Sequence, residues 1–331
     1  MPLETKLTKM LGIRHPILSA PMATIAGSRL VEAVGEAGGF GILGGGYGDK
    51  AWLEQETAKL KSATVPFGIG FITWSMAKQP ELLDIALAAE PRAIMLSFGD
   101  PKPFGPRIKA AGSLLICQVQ TEEMAKDALD AGADILIAQG TEAGGHGASR
   151  TTLDIVPAIV DFAAGRVPVV AAGGLADGRG LAAMMMLGAS GVLLGTRFYA
   201  SVECEVEEEA KQRICAATGG NTARGVVFDL SRSIFWPAPF TLRALVNDHS
   251  RRWIGREVEL MQNMATVSAD YAAAKRARNF DIAGVFAGEA AGLIHDIPPA
   301  AEIVGRIVTE AEQIMSGKQN SAVMSRTAVT R

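Results

Sequence analysis

Cysteine is scarce in this chain, and its placement argues against two kinds of stabilising site. The 331 residues contain three cysteines, Cys117, Cys204 and Cys215, an odd number without the close spacing of metal ligands. A disulfide framework and a structural zinc site are therefore not expected, and the sequence predicts no metal. Few cysteines without a disulfide pattern are typical of proteins in a reducing cytoplasm.

Long apolar runs and an excess of charge of one sign are also missing. No uncharged run reaches the ~18 residues that a membrane-spanning helix needs, and the first nine residues lack the apolar core of a signal peptide. The formal net charge is −3, with acidic and basic residues mixed along the chain. We therefore expect no nucleic acid or membrane partner. The sequence predicts a cytoplasmic protein that acts on small molecules, and a homo-oligomer stays open.

The chain has instead short apolar runs that alternate with helical patterns. Hydrophobic residues make up 48% of the sequence, enough to fill a large core. Parallel strands are buried on both faces, so they appear as continuous apolar runs. Eight such runs are predicted as strands, at 16–20, 40–43, 67–71, 93–97, 114–118, 135–139, 168–172 and 191–194. Eight strands close a (β/α)₈ TIM barrel, and a doubly wound open sheet is the alternative.

The alternation stops near residue 205. Residues 206–295 show helical patterns, aromatic residues and prolines, with few strands, which predicts a mostly helical second domain inserted near the C-terminus. An amphipathic stretch at about 299–316 is predicted to be the closing helix of the barrel. The predicted division is a barrel at 1–205, a helical cap or substrate domain at 206–295, and the closing helix with a flexible tail at 296–331.

Glycines follow the seventh and eighth predicted strands, where this fold commonly binds a phosphate. Gly173 and Gly174 follow the seventh strand, and Gly195 and Thr196 follow the eighth. Glycine lets backbone N–H groups approach an anion without a Cβ in the way. The pair of loops predicts a phosphate site, the alternative being two ordinary glycine turns. Arg197 fits equally well a phosphate ligand or a structural ion pair.

The loop after the sixth predicted strand places a histidine among glycines, with the sequence QGTEAGGHG at 139–147. Imidazole has an ordinary pKa of about 6.5, which suits proton transfer near neutrality. His146 is therefore predicted to act on a ligand rather than to support the fold. Glu142 is interpreted as a solvated loop acid, the alternative being that it orients His146. Met22, after the first strand, suits either contact with an aromatic ring or a place in the core.

These loops together resemble the nitronate monooxygenase family, formerly called 2-nitropropane dioxygenases. The motifs that carry the resemblance are PILSAPM at 16–22, AGGFG at 37–41, QGTEAGGH at 139–146, AAGGLADG at 171–178 and GTRF at 195–198. Two later stretches, 236–245 and 287–290, also resemble the family, so the likeness covers nearly the whole chain. The histidine string combined with the two later glycine loops is its specific part.

The resemblance implies a non-covalent FMN, a substrate pocket between the barrel and the second domain, and His146 as the catalytic base. The implied flavin contacts are Met22, Gln139, Gly144, Gly174, Gly195 and Thr196, and the predicted cofactor site is completed by Ala20, Pro21, Gly70, Gln118, Gly145, Gly173 and Leu194. The chain departs from the family at Gly70, where many relatives carry asparagine near the flavin ring. A polar contact there is either missing or supplied by Gln118.

The implied reaction is the oxidation of alkyl nitronates by O₂ to carbonyl compounds and nitrite, with neutral nitroalkanes first losing an α-proton to His146. The alternative enzyme is an NAD(P)H-dependent FMN reductase acting on a quinone or an enoyl thioester, because relatives with the same barrel loops have that activity. Two further alternatives are a flavin-carrying protein without catalysis and a phosphosugar-binding barrel without flavin.

Overall fold

A computed structural model describes residues 3–317, and eight parallel strands form its central sheet. These are β1 (Ile17–Ser19), β2 (Gly41–Gly44), β3 (Phe67–Ile72), β4 (Ala93–Ser97), β5 (Leu114–Val119), β6 (Ile135–Gln139), β8 (Val169–Ala172) and β9 (Gly191–Leu194). They coincide with the eight predicted runs to within one or two residues at each end. The strand order is β1-β9-β8-β6-β5-β4-β3-β2, each pair parallel.

The sheet closes on itself, which settles the choice between a barrel and an open sheet. A parallel bridge joins Leu18 of β1 to Phe40, just before β2, and Ser19 N–H donates to the Phe40 carbonyl at 3.0 Å. The chain is therefore a TIM barrel, and the predicted fold class is confirmed. The open doubly wound sheet was the wrong alternative.

Burial on both faces of the strands explains their continuous apolar sequences. In β4, Met95 joins the cluster inside the barrel, whereas its neighbours Ile94 and Leu96 pack against the outer helices. Leu7 and Leu11 of a short N-terminal helix also belong to the interior cluster. This helix therefore plugs the end of the barrel at the amino ends of the strands, a role that the polar N-terminal sequence did not indicate.

Helices follow the strands around the outside of the barrel. Their bounds are α1 (Lys6–Leu11), α2 (Ser28–Glu36), α3 (Lys50–Leu60), α4 (Thr73–Met76), α5 (Glu81–Leu87), α6 (Gly105–Ala110), α7 (Glu122–Asp130), α8 (Thr152–Ala163), α9 (Gly178–Met186) and α10 (Thr196–Tyr199). Helix α16 (Ala300–Met315) packs between α9 and α2. It therefore fills the last gap in the helical ring, as predicted for 299–316.

Residues 206–295 are mainly helical but also carry a sheet that the sequence patterns did not predict. The helices are α11 (Glu208–Ala216), α12 (Val227–Ser231), α13 (Asp248–Trp253), α14 (Glu257–Gln262), α15 (Met264–Arg276) and a 3₁₀ turn at Glu289–Leu293. Strands β10 (Thr222–Gly225) and β11 (Thr241–Leu245) pair antiparallel. On its other edge β11 pairs with β7 (Gly145–Gly147), which lies in the histidine loop of the barrel.

No helix within residues 3–317 is long and apolar enough to cross a membrane. The tail predicted to be frayed, 317–331, lies almost wholly outside the described residues. The domain boundaries at 205/206 and 295/296 stay predictions.

Candidate active site

One large cavity, of about 670 Å³, opens at the carboxyl ends of the barrel strands. Its wall combines the loops after the strands with residues of the second region, including Arg232, Trp236 and Phe286. Of the predicted site residues, those in the wall are Ala20, Pro21, Met22, Gly70, Gln118, Gln139, Gly144, Gly145, His146, Gly173, Gly174, Gly195 and Thr196. The fold therefore brings together residues that lie up to 176 positions apart in the sequence.

Leu194 is the predicted contact that does not line the cavity. It is buried in the cluster between the strands and the outer helices, whereas its neighbour Leu193 belongs to the barrel interior and lines the cavity. Successive side chains of a strand point to opposite faces. Leu194 as a flavin contact stays a prediction.

The two glycine loops after β8 and β9 form one side of the cavity. Gly173 and Gly174 have φ angles of +111° and +69°, a region that favours glycine. Within residues 3–317, no protein acceptor takes the N–H groups of Gly174, Gly195 or Thr196. The Thr196 hydroxyl accepts from Gly288 N–H at 2.9 Å, which leaves its own hydrogen available to a ligand. This side of the cavity is a concentration of unpaired donors suited to an anion.

The histidine loop is held by hydrogen bonds from the second region as well as from the barrel. The guanidinium of Arg224, on β10, donates to five carbonyl oxygens: those of Thr141, Ala143, Gly145, Gly147 and Thr241. Burial lowers the pKa of Arg224 to about 10. A partly buried cation surrounded by carbonyl oxygens thus fixes the backbone on both sides of His146.

On the barrel side, a chain of glutamines fixes the same loop. Gln139 at the end of β6 donates from its amide to the His146 carbonyl at 3.1 Å. Its own amide oxygen accepts from Gln120 at 2.8 Å and from Gln118 at 3.2 Å. The Gln118 amide is thus already directed at Gln139, although its side chain lines the cavity.

His146 is buried and held by two side chains of the second region. Its Nε2 lies 2.9 Å from Oδ2 of Asp229, whose side chain is 3% exposed. Its ring stacks on Trp236 with 3.4 Å between centroids and 11° between planes. The pKa of His146 is lowered from 6.5, mainly by burial, against a smaller opposing effect of Asp229. The imidazole is therefore neutral at neutral pH.

The partner on Nε2 decides which nitrogen of the imidazole is the basic one. A carboxylate only accepts hydrogen bonds, so the proton of the neutral ring lies on Nε2 and is donated to Asp229. The lone pair then lies on Nδ1. In chemical terms, this site can take up a proton at Nδ1 while Asp229 stabilises the resulting imidazolium.

Two residues that follow barrel strands, Glu142 and Arg197, have structural roles that the sequence left open or assigned wrongly. The Glu142 carboxylate accepts from the N–H and hydroxyl of Thr152 at 2.8 and 2.7 Å. It thus caps α8 and neither orients His146 nor stands free in solvent. Arg197 pairs with Asp296 at 2.9 Å and donates to the carbonyls of Ala200 and Asp296. Its role is therefore structural.

The structure gives a steric reason for glycine at position 70. A Cβ on Gly70 would overlap the ring of Pro21, which lines the cavity beside it. The ring of Pro21 thus occupies the space that a longer side chain at position 70 would need. A side chain at position 70 would therefore require the first loop to shift.

Sequence reasoning missed the residues that surround His146 from the second region. Asp229 is 83 positions from His146 and lies in a five-residue helix without a motif of its own. Trp236 and Arg224 were not singled out as site residues either. No local signal marks these side chains, because each acts only through its tertiary neighbour.

Two of the three cysteines are deeply buried. Burial raises the pKa of both Cys117 and Cys204 to about 12, so these thiols stay protonated. No cluster of three or more metal-ligating side chains occurs in the part of the chain that the structure describes.

Comparison with known proteins identifies the family of this site. A family model described as nitronate monooxygenase matches residues 4–90 and 72–310. This chain belongs to the nitronate monooxygenase family. The membership makes it an oxidoreductase and confirms the family resemblance seen in its motifs.

Individual relatives cover nearly the full length of the chain. A nitronate monooxygenase of Metarhizium robertsii is 32% identical, over 91% of this chain and 92% of its own. An octahydroindene carboxyl-CoA dehydrogenase of Mycobacterium tuberculosis is 30% identical, over 94% and 97%. Among solved structures, FabK from Thermotoga maritima is similar with a TM-score of 0.84 and 30% identity, over 95% of this chain and 98% of that one.

Proposed function

We propose that this protein is an FMN-dependent nitronate monooxygenase that converts alkyl nitronates, and neutral nitroalkanes after deprotonation, to carbonyl compounds and nitrite with O₂. The observation that carries the proposal is that one cavity contains both a neutral His146 and the backbone N–H groups of Gly174, Gly195 and Thr196, which have no acceptor within residues 3–317. Family membership supports the same reaction.

The residues present fit an FMN. The unpaired N–H groups of Gly174, Gly195 and Thr196 would hold its phosphate, as loops after the seventh and eighth strands of this fold commonly do. Met22, Pro21 and Ala20 would line the ring together with the side chains of Gln118 and Gln139, which also face the cavity. When bound, FMN supplies the electron acceptor for an electron-rich nitronate.

The side chains of the protein position the substrate and move its proton. A neutral nitroalkane carries an acidic hydrogen on the carbon next to the nitro group, and Nδ1 of His146 is the base that removes it. Asp229 holds the imidazole in the required tautomer. Phe98, Trp236 and Phe240 pack edge to face against one another beside His146, which makes the surroundings of the imidazole apolar. A preformed nitronate bypasses the proton transfer.

The test is an anaerobic reduction of the purified protein. We expect a yellow protein whose flavin absorbance bleaches on addition of propyl-2-nitronate alone, and which forms nitrite and acetone once air is admitted. Bleaching by NADH or NADPH with no response to the nitronate would contradict the proposal.

A second candidate is an NAD(P)H-dependent FMN reductase acting on an acyl thioester. It is favoured by the name of the relative from Mycobacterium tuberculosis, which is a carboxyl-CoA dehydrogenase similar over nearly the whole chain. The same anaerobic experiment separates the two candidates, because only the reductase accepts electrons from a nicotinamide.

A further inference from the structure

Arg232 lies in the cavity wall, and its neighbours hold its guanidinium group in a fixed position. It follows α12, and its side chain is 18% exposed. Its guanidinium lies 5.3 Å from the ring centre of Tyr47 and 5.3 Å from that of Phe286. Two aromatic faces hold an arginine by cation–π attraction without using its N–H donors. Arg232 is thus fixed in position, with one hydrogen-bond contact from its N–H edge to the Tyr47 hydroxyl, and its other N–H donors are left available within residues 3–317.

The carboxylate nearest to Arg232 does not hold it tightly. Oδ1 of Asp229 is 3.6 Å from Nη1 of Arg232, beyond a normal hydrogen bond, and Oδ1 is buried without a hydrogen-bond partner within residues 3–317. The other oxygen, Oδ2, is committed to His146 at 2.9 Å. Asp229 therefore hydrogen-bonds to the imidazole of His146, whereas its interaction with the Arg232 guanidinium is only electrostatic.

Five side chains on the cavity wall contact one another in a closed ring. Arg232 stacks on Tyr47, and the Tyr47 hydroxyl accepts from Trp236 Nε1 at 3.0 Å. Trp236 stacks on His146, His146 pairs with Asp229, and Asp229 faces Arg232. The guanidinium is therefore locked into the same unit as the base, so an anion bound to it lies close to the imidazole.

We propose that Arg232 binds the charged oxygens of the substrate and makes this site selective for small planar anions. A nitronate carries two oxygens on one nitrogen, a geometry that the planar fork of a guanidinium matches as it does a carboxylate. The nitronate assignment rests on the proposed function; the anion-binding role of Arg232 does not. A bound anion also offsets the charge by which Arg232 depresses the pKa of His146.

Other charged groups in the cavity wall are less suited to this role. Lys275 lines the same cavity but has none of the fixing contacts of Arg232 and is a single flexible charge. Two of the carboxylates in the wall are engaged elsewhere, because Asp49 caps α3 at Trp52 and Glu207 faces Arg278 at 3.7 Å. Lys275 is therefore the residue against which the anion-binding role of Arg232 is tested.

The experiment measures binding of sodium nitrate, a planar anion, to the protein as purified by calorimetry at constant ionic strength. Arg232→Gln is expected to weaken nitrate binding at least 10-fold, with Arg232→Lys intermediate. Arg251→Gln, on the exposed face of α13, is the matched control and should bind nitrate like the unsubstituted protein. Circular dichroism and the thermal unfolding midpoint confirm that each variant is folded.

Steady-state kinetics provide the second measurement. Arg232→Gln should raise KM for propyl-2-nitronate at least 10-fold with kcat within about threefold, and change KM for neutral 2-nitropropane much less. Three outcomes would each overturn the proposal. Arg232→Gln could bind nitrate within twofold of the unsubstituted protein, or the unsubstituted protein could bind no nitrate at all. The third is that Lys275→Gln, and not Arg232→Gln, loses nitrate binding. If nitronates are not turned over but nitrate binding still depends on Arg232, the proposed function fails and the anion site stands.

Discussion

The two sides of the cavity are built in different ways. The side formed by the loops after β8 and β9 uses backbone N–H groups of Gly174, Gly195 and Thr196. The side around His146 uses side chains from distant elements, namely Asp229, Trp236 and Arg224. A backbone site depends on a short stretch of sequence, whereas a side-chain site depends on how separate elements pack. Substitutions should therefore act locally on the first side and through neighbours on the second.

The largest effect is expected from His146→Ala. Loss of a positioned general base costs about 10²–10⁴-fold in rate, so turnover of neutral 2-nitropropane should fall by that factor while turnover of preformed propyl-2-nitronate falls less than about 10-fold. Flavin content should be unchanged, because the backbone donors belong to the loops after β8 and β9 and do not depend on the His146 side chain. Equal losses on both substrates, measured by nitrite release, would remove the assignment of His146 as the base.

The backbone side can be broken by adding one methyl group. In Gly173→Ala the new Cβ would meet the Thr152 hydroxyl at 2.7 Å, at a φ of +111°. We expect FMN affinity to fall at least 10-fold, measured by fluorescence of released flavin on dilution. Gly165→Ala is the control, because Gly165 has a φ of +73° with no atom within 4 Å. Gly165→Ala therefore shows the effect of backbone strain without a steric clash. If this control lost flavin to the same extent as Gly173→Ala, a local phosphate site would be contradicted.

This difference also explains how much of the molecule could be predicted from the sequence. The barrel strands were visible because each is a short buried run, and the glycine loops were visible because Gly173, Gly174 and Gly195 stand at strand ends. The sheet that joins β7 to β11 was not, since Gly145–Gly147 has no strand character by itself and acquires it only from its partner. Asp229 could not be assigned for the same reason.

Asp229→Asn tests the side of the cavity around His146 without removing the imidazole itself. The amide can present a donor or an acceptor to Nε2, so the tautomer is no longer fixed, and we expect kcat/KM for 2-nitropropane to fall about 10–100-fold. Asp229 raises the pKa of His146 against the larger effect of burial. In the unsubstituted enzyme, activity should therefore rise with pH to a half-maximum below 6.5, and the variant should move that midpoint to lower pH.

The pH profile of kcat/KM between pH 4.5 and 8 is the measurement for this prediction. Asp248→Asn is the matched control, because Asp248 is an exposed residue of α13 whose carboxylate pairs with Arg251 at 3.1 Å. A midpoint displaced to higher pH in Asp229→Asn would show that the carboxylate does not stabilise the imidazolium.

The smallest effect is expected from Tyr47→Phe, which reaches His146 through one intermediate. The Tyr47 hydroxyl accepts from the indole N–H of Trp236 at 3.0 Å, and Trp236 in turn stacks on His146. Loss of one hydrogen bond costs about 0.5–1.5 kcal/mol, so kcat/KM for 2-nitropropane should fall about 2–12-fold with flavin affinity unchanged. Because the ring of Phe keeps its face toward Arg232, nitrate binding should also be retained. A loss of flavin in this variant would mean that the two sides of the cavity are coupled. The backbone side and the side-chain side would then no longer respond independently to substitution.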